Sequence, residues 1–276
     1  MANDKIISFM KKGAEISGGA IGSAIGLIGG PAGAIAGGGL GVIATQLLTE
    51  IVERSMSNRQ QVRVAATSTF IFDGVNRRLI AGEIIRTDDF FEQKIFERSK
   101  AEELFEGVLL KCSNQFQEKK IKFISKIFEH TIFDETISTE TANQILTIAN
   151  SLTYRKLCLI SFYGRRASDF PTEILMRDVY TWYPQIVFST NEKLLIQDLY
   201  ELINMDILDN HNMLMPNNKS IYPDKLTLTE IGSTLYQVMN LNEIDNEDIK
   251  PAIEELKYKP EWGKSTNETI NGERNT

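Results

Sequence analysis

Apolar residues in the middle of the chain recur at steps of three and four, the spacing of amphipathic helices. Four stripes follow this pattern, and Ser138 or Thr139 can cap the third helix while Thr153 can open the fourth. The stripes occupy positions 104, 105, 108, 109 and 112; 121, 124, 127 and 128; 142, 145, 146, 149 and 152; and 157, 159, 160 and 162. Because each stripe must be buried against a neighbour, we expect a helical body over residues 51–185.

The stretch before these helices has two interpretations. A helical pattern continues from about residue 49 to residue 81, where Gly82 ends it. Residues 62–72 are also rich in β-branched and aromatic side chains, and that composition favours a strand. The pattern alone leaves both alternatives open.

The order of the predicted elements changes near residue 188. Thr190 or Asn191 can cap a helix, residues 213–215 and 225–228 read as short strands around a polar stretch, and Thr229 can cap a final helix. Helix, strand, polar wing, strand and helix is the order of a winged helix. We therefore predict a small winged-helix-like α+β module near the C-terminal end.

The composition changes abruptly at residues 16–49, which form 34 consecutive residues without a charge and hold 11 of the 19 glycines. Four-residue spacing places most of these glycines in two ladders, each lining one helix face. In water each glycine costs a helix up to about 1 kcal/mol relative to alanine, whereas in lipid small residues promote helix association. The residues predicted to insert or oligomerise are Gly18, Gly22, Gly26, Gly29, Gly30, Pro31, Gly33, Gly37 and Gly41.

Pro31 interrupts this segment, so we predict a helical hairpin with arms at residues 16–29 and 32–49. Basic residues on both flanks favour a hairpin with both ends on the cytoplasmic side. The first arm is shorter than the about 20 residues of a spanning helix, so shallow or oligomer-assisted insertion fits as well as a full span. The candidate contacts to lipid headgroups are Lys11, Lys12, Arg54, Arg59 and Arg63.

Three other interpretations of this segment compete with membrane insertion. Lys11 and Lys12 could open a signal peptide, although such apolar regions are shorter and contain fewer glycines. Residues 39–44 fit GxGxxA, but no strand pattern precedes them as in a nucleotide-binding turn. The segment could also be a glycine-rich helical pair buried in the body, or a flexible tail. We favour membrane interaction, permanent or triggered.

The predicted class is therefore mainly α with four parts. They are a glycine-rich membrane-interacting hairpin at 1–50, the helical body at 51–185, the winged-helix-like module at 186–250 and a polar, disordered tail at 251–276. A mean hydropathy of −0.18 excludes a polytopic transporter.

The charge balance narrows the choice of partners. The chain carries 30 Lys and Arg against 37 Asp and Glu, a net charge of −7. Residues 191–248 hold 3 basic and 11 acidic residues, a net charge of −8. Because nucleic-acid binding needs several cations on one face, this module is expected to bind a protein partner and not DNA.

No catalytic, metal or cofactor site is recognisable in the sequence. His130 and His211 lack partners at metal-ligand spacing, and no GxSxG or kinase pattern occurs. Cys112 and Cys158 fall in apolar helical patterns and are expected to be reduced core residues. We therefore expect a protein that is not an enzyme and that has no cofactor.

Four segments within about residues 99–241 resemble the Abi-alpha type of bacterial abortive-infection protein. They read Ala101-Glu-Glu-Leu-Phe-Glu-Gly-Val-Leu-Leu-Lys-Cys, Glu118-Lys-Lys-Ile-Lys-Phe, Leu152-Thr-Tyr-Arg-Lys-Leu and Leu226-Thr-Leu-Thr-Glu-Ile-Gly. The resemblance implies a role in antiphage defence, with no catalytic residue to transfer. The glycine-rich N-terminal segment is an addition to that pattern and resembles the glycine zippers of membrane-perturbing proteins.

Two hypotheses follow. The first is a bacterial membrane-acting effector whose glycine-zipper hairpin inserts or oligomerises under control of the helical body. Its expected partners are membrane lipid and further copies of itself, at the cytoplasmic side of the inner membrane or in the cytoplasm before a trigger. The alternative is a membrane-tethered, non-enzymatic adaptor or regulator that uses the acidic winged helix to bind a protein.

Overall fold

In the computed structural model, the described residues are 2–20, 48, 50, 56–93, 95, 97–170, 188–210 and 220–257. These residues form ten α-helices and one two-stranded antiparallel sheet, which confirms the predicted mainly α class. The chain divides into two compact units, Met1–Tyr154 with Val238–Asn240 and Arg155–Gln237 with Leu241–Thr276. Most of the predicted glycine-rich hairpin lies outside the described residues.

The first unit is built around one long helix, α3. Helices α1, α2, α4 and α5 all contact α3, and α6 packs on α4 and α5. The bounds are α1 Ala2–Lys11, α2 Ala14–Ser17, α3 Asn58–Ile80, α4 Lys100–Ser113, α5 Lys119–Thr131 and α6 Thr139–Ser151.

Residues 62–72 are helical throughout, so the strand alternative is wrong. Ser57 and Gln60 form a capping box at the start of α3, because each side chain accepts a hydrogen bond from the backbone of the other. The hydroxyls of Thr67, Ser68 and Thr69 are buried, and each donates to the carbonyl four residues earlier. The helical pattern predicted for residues 49–81 is confirmed over Asn58–Ile80, where contacts with several helices bury more than one face of α3.

The predicted stripes of the next helices form the core. The ring of Phe105 on α4 lies 6.1 Å from that of Phe72 on α3 and 5.0 Å from that of Phe128 on α5. Every apolar position assigned to the four stripes is at most 5% exposed, which confirms the helical interpretation. Ser138 caps α6 by accepting from the Thr141 N–H.

The described residues of the second unit form four helices and a short strand pair. Their bounds are α7 Tyr154–Asp169, α8 Thr190–Asn204, β1 Leu208–Asp209, β2 Thr227–Leu228, α9 Glu230–Val238 and α10 Asn246–Leu256. The strands are antiparallel, with Leu208 opposite Leu228. The predicted strand at 213–215 lies outside the described residues, and the strand that pairs with β2 is β1.

Two boundaries in the second unit differ from the predictions. The N-cap of α8 is Ser189, not Thr190 or Asn191, because Ser189 and Glu192 form a capping box. Residues 251–256, assigned above to the tail, belong to α10. The polar composition concealed a stripe at positions 249, 252, 253 and 256, whose side chains are all buried.

Candidate functional site

The N-terminal end of the chain packs on the central helix of the first unit. Ile6, Phe9 and Met10 are 2%, 3% and 0% exposed, and Ser17 is also buried. Their spacing puts them, together with Gly13, on one side of α1 and α2, and both helices contact α3. We call residues 6–17 and the α3 surface that they cover the N-terminal clamp.

The closest approach within this clamp occurs at Gly13. A Cβ atom placed on Gly13 would lie 2.3 Å from the backbone nitrogen of Ala66 and 2.6 Å from the carbonyl carbon of Ala65. Real Cβ atoms do not approach other atoms this closely, so a side chain at this position would push the two backbones apart. Glycine at position 13 therefore allows direct backbone contact between α3 and the turn joining α1 to α2.

Gly18, the first member of the predicted ladders, has a different role. It ends α2 with φ of 56° and ψ of −128°, a conformation that residues with a side chain rarely adopt. A Cβ built on Gly18 meets no atom of the described residues within 4 Å. The remaining ladder residues, Gly22 to Gly41 with Pro31, lie outside the described residues, so the ladders stay a prediction.

A group of ion pairs closes the clamp near the start of α3. Arg59 pairs with Glu15 of α2 and with Glu118, which directly precedes α5. Glu118 also accepts a hydrogen bond of 2.9 Å from Nε of Arg63. Hydrogen bonding to Arg59 holds the pKa of the Glu118 carboxyl below its usual range, and Glu118 and then Glu15 raise the pKa of Arg59. This group links α2, α3 and the start of α5.

Four of the five candidate headgroup contacts are described, and they lie at the same end of the first unit. Lys12 donates a hydrogen bond of 2.7 Å to Gln61, while Lys11 is exposed. Arg59 and Arg63 are engaged with carboxylates as described above, and Arg54 lies outside the described residues. In this state, three of the four side chains are held by the protein's own groups.

Gly13, Glu15 and Glu118 belong to this site although they were not predicted from the sequence. For Gly13 a signal was present, because it continues the series 6, 9, 10 and 17 at a position that would otherwise be apolar. For Glu15 and Glu118 there was no such signal, because they lie more than 100 residues apart and meet only through Arg59. Only the packing of α2 and α5 on α3 brings them together.

Cys112 and His130, which were considered above for chemistry, are held in structural roles, and His211 lies outside the described residues. Burial raises the pKa of the Cys112 thiol to about 12, so this cysteine is not an activated nucleophile. His130 is hydrogen-bonded to Asn240 at 2.9 Å, and burial lowers its pKa. Within the described ranges, no group of three or more His, Cys, Asp and Glu side chains is arranged to hold a metal ion.

Basic side chains of the second unit are also paired with carboxylates. Arg155 bonds to Asp198 at 2.5 Å, Arg165 to Asp169 at 2.6 Å and Arg166 to Asp224 at 2.6 Å. Arg165 additionally donates to the carbonyl of Ile244, and Arg166 to that of Asp224. Arg155 joins α7 to α8, and Arg165 and Arg166 join α7 to the segments before α10 and β2.

None of the helices that the structure describes is both long and apolar enough to cross a lipid bilayer. Comparison with known proteins gave no match: no family model, no curated protein and no solved structure is similar to this chain. The resemblance to Abi-alpha type proteins therefore stays a prediction from the residues alone.

Proposed function

We propose that this chain is a bacterial membrane-acting effector, whose uncharged glycine-laddered segment inserts or oligomerises in the inner membrane while the first unit controls it. The observation that carries the proposal is the N-terminal clamp. It attaches the residues that directly precede the segment to the helix that follows it.

The uncharged segment begins near the start of α3. Gly13 faces Ala65 and Ala66, whereas Glu15 reaches Arg59, six residues or roughly 9 Å closer to the start of the helix. The chain therefore runs toward the start of α3 before residue 20. The clamp thus holds the residues that lead into the uncharged segment, which supports control of the segment by the first unit.

The clamp also supplies a means of control. While α1 and α2 are docked, Arg59 and Arg63 neutralise Glu15 and Glu118, and the segment is tethered at both ends. Release of α1 and α2 would separate Glu15 from Arg59 and remove the attachment that holds the residues before the segment. In this proposal, release makes the segment free to insert and makes basic side chains available to lipid phosphates.

Leakage of dye from vesicles containing phosphatidylglycerol tests the effector function. We expect Gly22→Leu/Gly26→Leu/Gly37→Leu to lose leakage, because leucine fills the faces on which backbones would approach. The matched control, Ala24→Leu/Ala32→Leu/Ala36→Leu, adds similar volume away from both ladders and is expected to retain leakage. Equal leakage from the wild type and the glycine variant would contradict the proposal.

The proposed role in antiphage defence rests on the resemblance described above and is tested separately. Cells expressing the wild type are expected to stop growth or lose membrane potential during phage infection, and cells expressing the glycine variant are expected not to. Identical infection outcomes for the two strains, with vesicle leakage intact, would remove the defence role and leave the membrane activity.

A second candidate, a membrane-tethered adaptor, is favoured by the second unit. Its helix, strand, strand, helix order and its net charge of −8 over residues 191–248 suit an acidic winged helix that binds a basic protein surface. Replacing residues 21–47 by a glycine-serine linker keeps the clamp. An adaptor would then lose membrane association and retain partner binding, whereas an effector would lose leakage without a partner being involved.

A further inference from the structure

One end of the first unit is formed where α3 and α5 begin and where α4 and α6 end. The turn between α4 and α5 is fixed there by side-chain amides. Gln60 donates to Asn114 at 3.2 Å, and Gln115 donates to Asn150 at 2.7 Å. Gln117, in the same turn, accepts from the Tyr154 N–H at 2.9 Å. We call this end, made of residues 11–20, 57–63, 110–122 and 150–154, the basic pole.

The charge of this pole is opposite to that of the whole chain. Its four ranges contain eight Lys and Arg residues and two Glu residues, whereas the chain carries −7. Both glutamates are paired with Arg59 or Arg63. The basic residues are Lys11, Lys12, Arg59, Arg63, Lys111, Lys119, Lys120 and Lys122. A concentrated positive field in an acidic protein indicates an anionic partner.

Phe116 lies at the tip of the same pole. Its side chain is 81% exposed, although the residue before it is buried and hydrogen-bonded. The turn therefore holds its backbone in place and directs a large apolar ring into solvent. Leu110, one helical turn before the end of α4, is also exposed at 39%. An exposed aromatic ring among lysines is the composition of a surface that enters the interface of an anionic bilayer.

We propose that the basic pole is a docking surface for anionic phospholipid headgroups, with Phe116 as its apolar anchor. The inference rests on the proposed membrane function and adds the orientation of the protein on the membrane. Residues 18–20, which lead into the glycine-rich segment, lie at this pole, so docking would place the start of the segment next to the bilayer. Lys111 and Lys119 flank Phe116 and would contact the lipid phosphates.

A nucleic acid offers the same phosphate chemistry, and its bases can stack on an exposed ring. The observation that favours lipid is the position of residue 20 at this pole, since the uncharged segment that follows it fits hydrocarbon and not a polyanion. Nucleic-acid binding is therefore an outcome of the test and not a part of the proposal.

The test is cosedimentation of the full-length protein with phosphatidylcholine vesicles, with and without phosphatidylglycerol. We expect binding only with phosphatidylglycerol, weakened about tenfold by Lys111→Gln/Lys119→Gln and by Phe116→Ala. The matched controls are Lys193→Gln/Lys250→Gln and Ile84→Ala, whose residues are exposed outside the pole. These controls are expected to bind as the wild type does. Equal binding by the pole variants and the controls would overturn the inference.

Two further outcomes separate this inference from the proposed function. If the pole variants lose vesicle binding while neither they nor the wild type cause leakage, the docking surface stands and the effector function fails. If leakage depends on the glycine ladders but binding does not depend on Phe116 or the lysines, the function stands and the docking surface is wrong. Binding of a short DNA duplex through the same residues, without vesicle binding, would also overturn the inference.

Discussion

The contact between Gly13 and α3 can be tested by adding a side chain to this one position. The nearest backbone atoms of Ala65 and Ala66 would lie 2.3–2.7 Å from an added Cβ, whereas ordinary contact between carbon atoms requires roughly 3.5–4 Å. Alanine therefore forces the backbones apart by about 1 Å, and leucine requires a larger separation. No flexible side chain is available to yield, because the opposing atoms belong to the backbone.

The expected loss of stability can be worked out from the close contact at Gly13 and from the apolar side chains that the clamp buries. Overpacking of this kind costs about 1–3 kcal/mol, which we expect Gly13→Ala to remove from the free energy of unfolding. Complete release of Ile6, Phe9 and Met10 would cost roughly 1.5–3 kcal/mol for each side chain. Alanine is therefore expected to shift α1 and α2 without releasing them, whereas leucine is expected to release them.

Hydrogen exchange followed by mass spectrometry measures this release locally. In Gly13→Leu we expect loss of protection in residues 2–17 and unchanged protection in α4 and α5, together with trypsin cleavage after Lys11 and Lys12. The matched control is Ala14→Leu, because Ala14 is exposed and adjacent to Gly13. For alanine the control is Gly107→Ala, where the added Cβ meets only Leu146 at 3.5 Å, an ordinary contact.

Wild-type protection of residues 2–17 in Gly13→Leu would refute the reasoning, because it would mean that α3 can yield to a side chain at this position. If release occurs and the proposed function holds, Gly13→Leu is also expected to increase vesicle leakage, while Ala14→Leu is not.

Three further predictions concern groups near α3. Gly74→Ala would place a Cβ 1.8 Å from the buried carboxylate of Glu129, so we expect a loss of about 1–3 kcal/mol in urea unfolding, and wild-type stability would contradict the packing. For Lys120, burial lowers the pKa from 10.5 to about 8, so the unfolded chain binds more protons above pH 8. The free energy of unfolding of the wild type, taken relative to that of Lys120→Met, should then rise by roughly 1–3 kcal/mol between pH 8 and about pH 10.5. A difference that does not change with pH would exclude the lowered pKa. The pKa of Glu118 is lowered by its two arginine partners, so its contribution should be present at neutral pH and lost as the pH falls below about 4. If the ion pairs contributed nothing to stability, the melting temperatures of the wild type and Glu118→Gln would differ by the same amount at every pH in that range.

Local patterns predicted much of the helical framework. The stripes of α4 to α7 and the cap at Ser138 follow from spacing and from one hydrogen bond over three residues, so a short window of sequence contains them. The same windows left residues 62–72 open between helix and strand, and they failed at residues 251–256. There, burial against residues distant in sequence outweighed the polar composition on which the tail prediction relied.

The candidate site could be predicted only in part. The uncharged, glycine-rich segment and its basic flanks are visible in the chain itself, because charge and glycine spacing are local properties. The pairing of Glu15 and Glu118 through Arg59, and the exposure of Phe116 at the same end, depend on which helices meet. A phenylalanine in a polar turn looks the same in sequence whether it is buried or exposed.

The sequence by itself determined that this protein is mainly helical, that its charge is negative and that one segment of 34 residues carries no charge. Only the tertiary structure decided that Gly13 is the glycine at the close contact, that Gly18 ends a helix and that cations gather at one end of α3. The physical reason is that helix periodicity arises from neighbours three or four residues apart. Contact and exposure, in contrast, depend on residues that the chain brings together from far away.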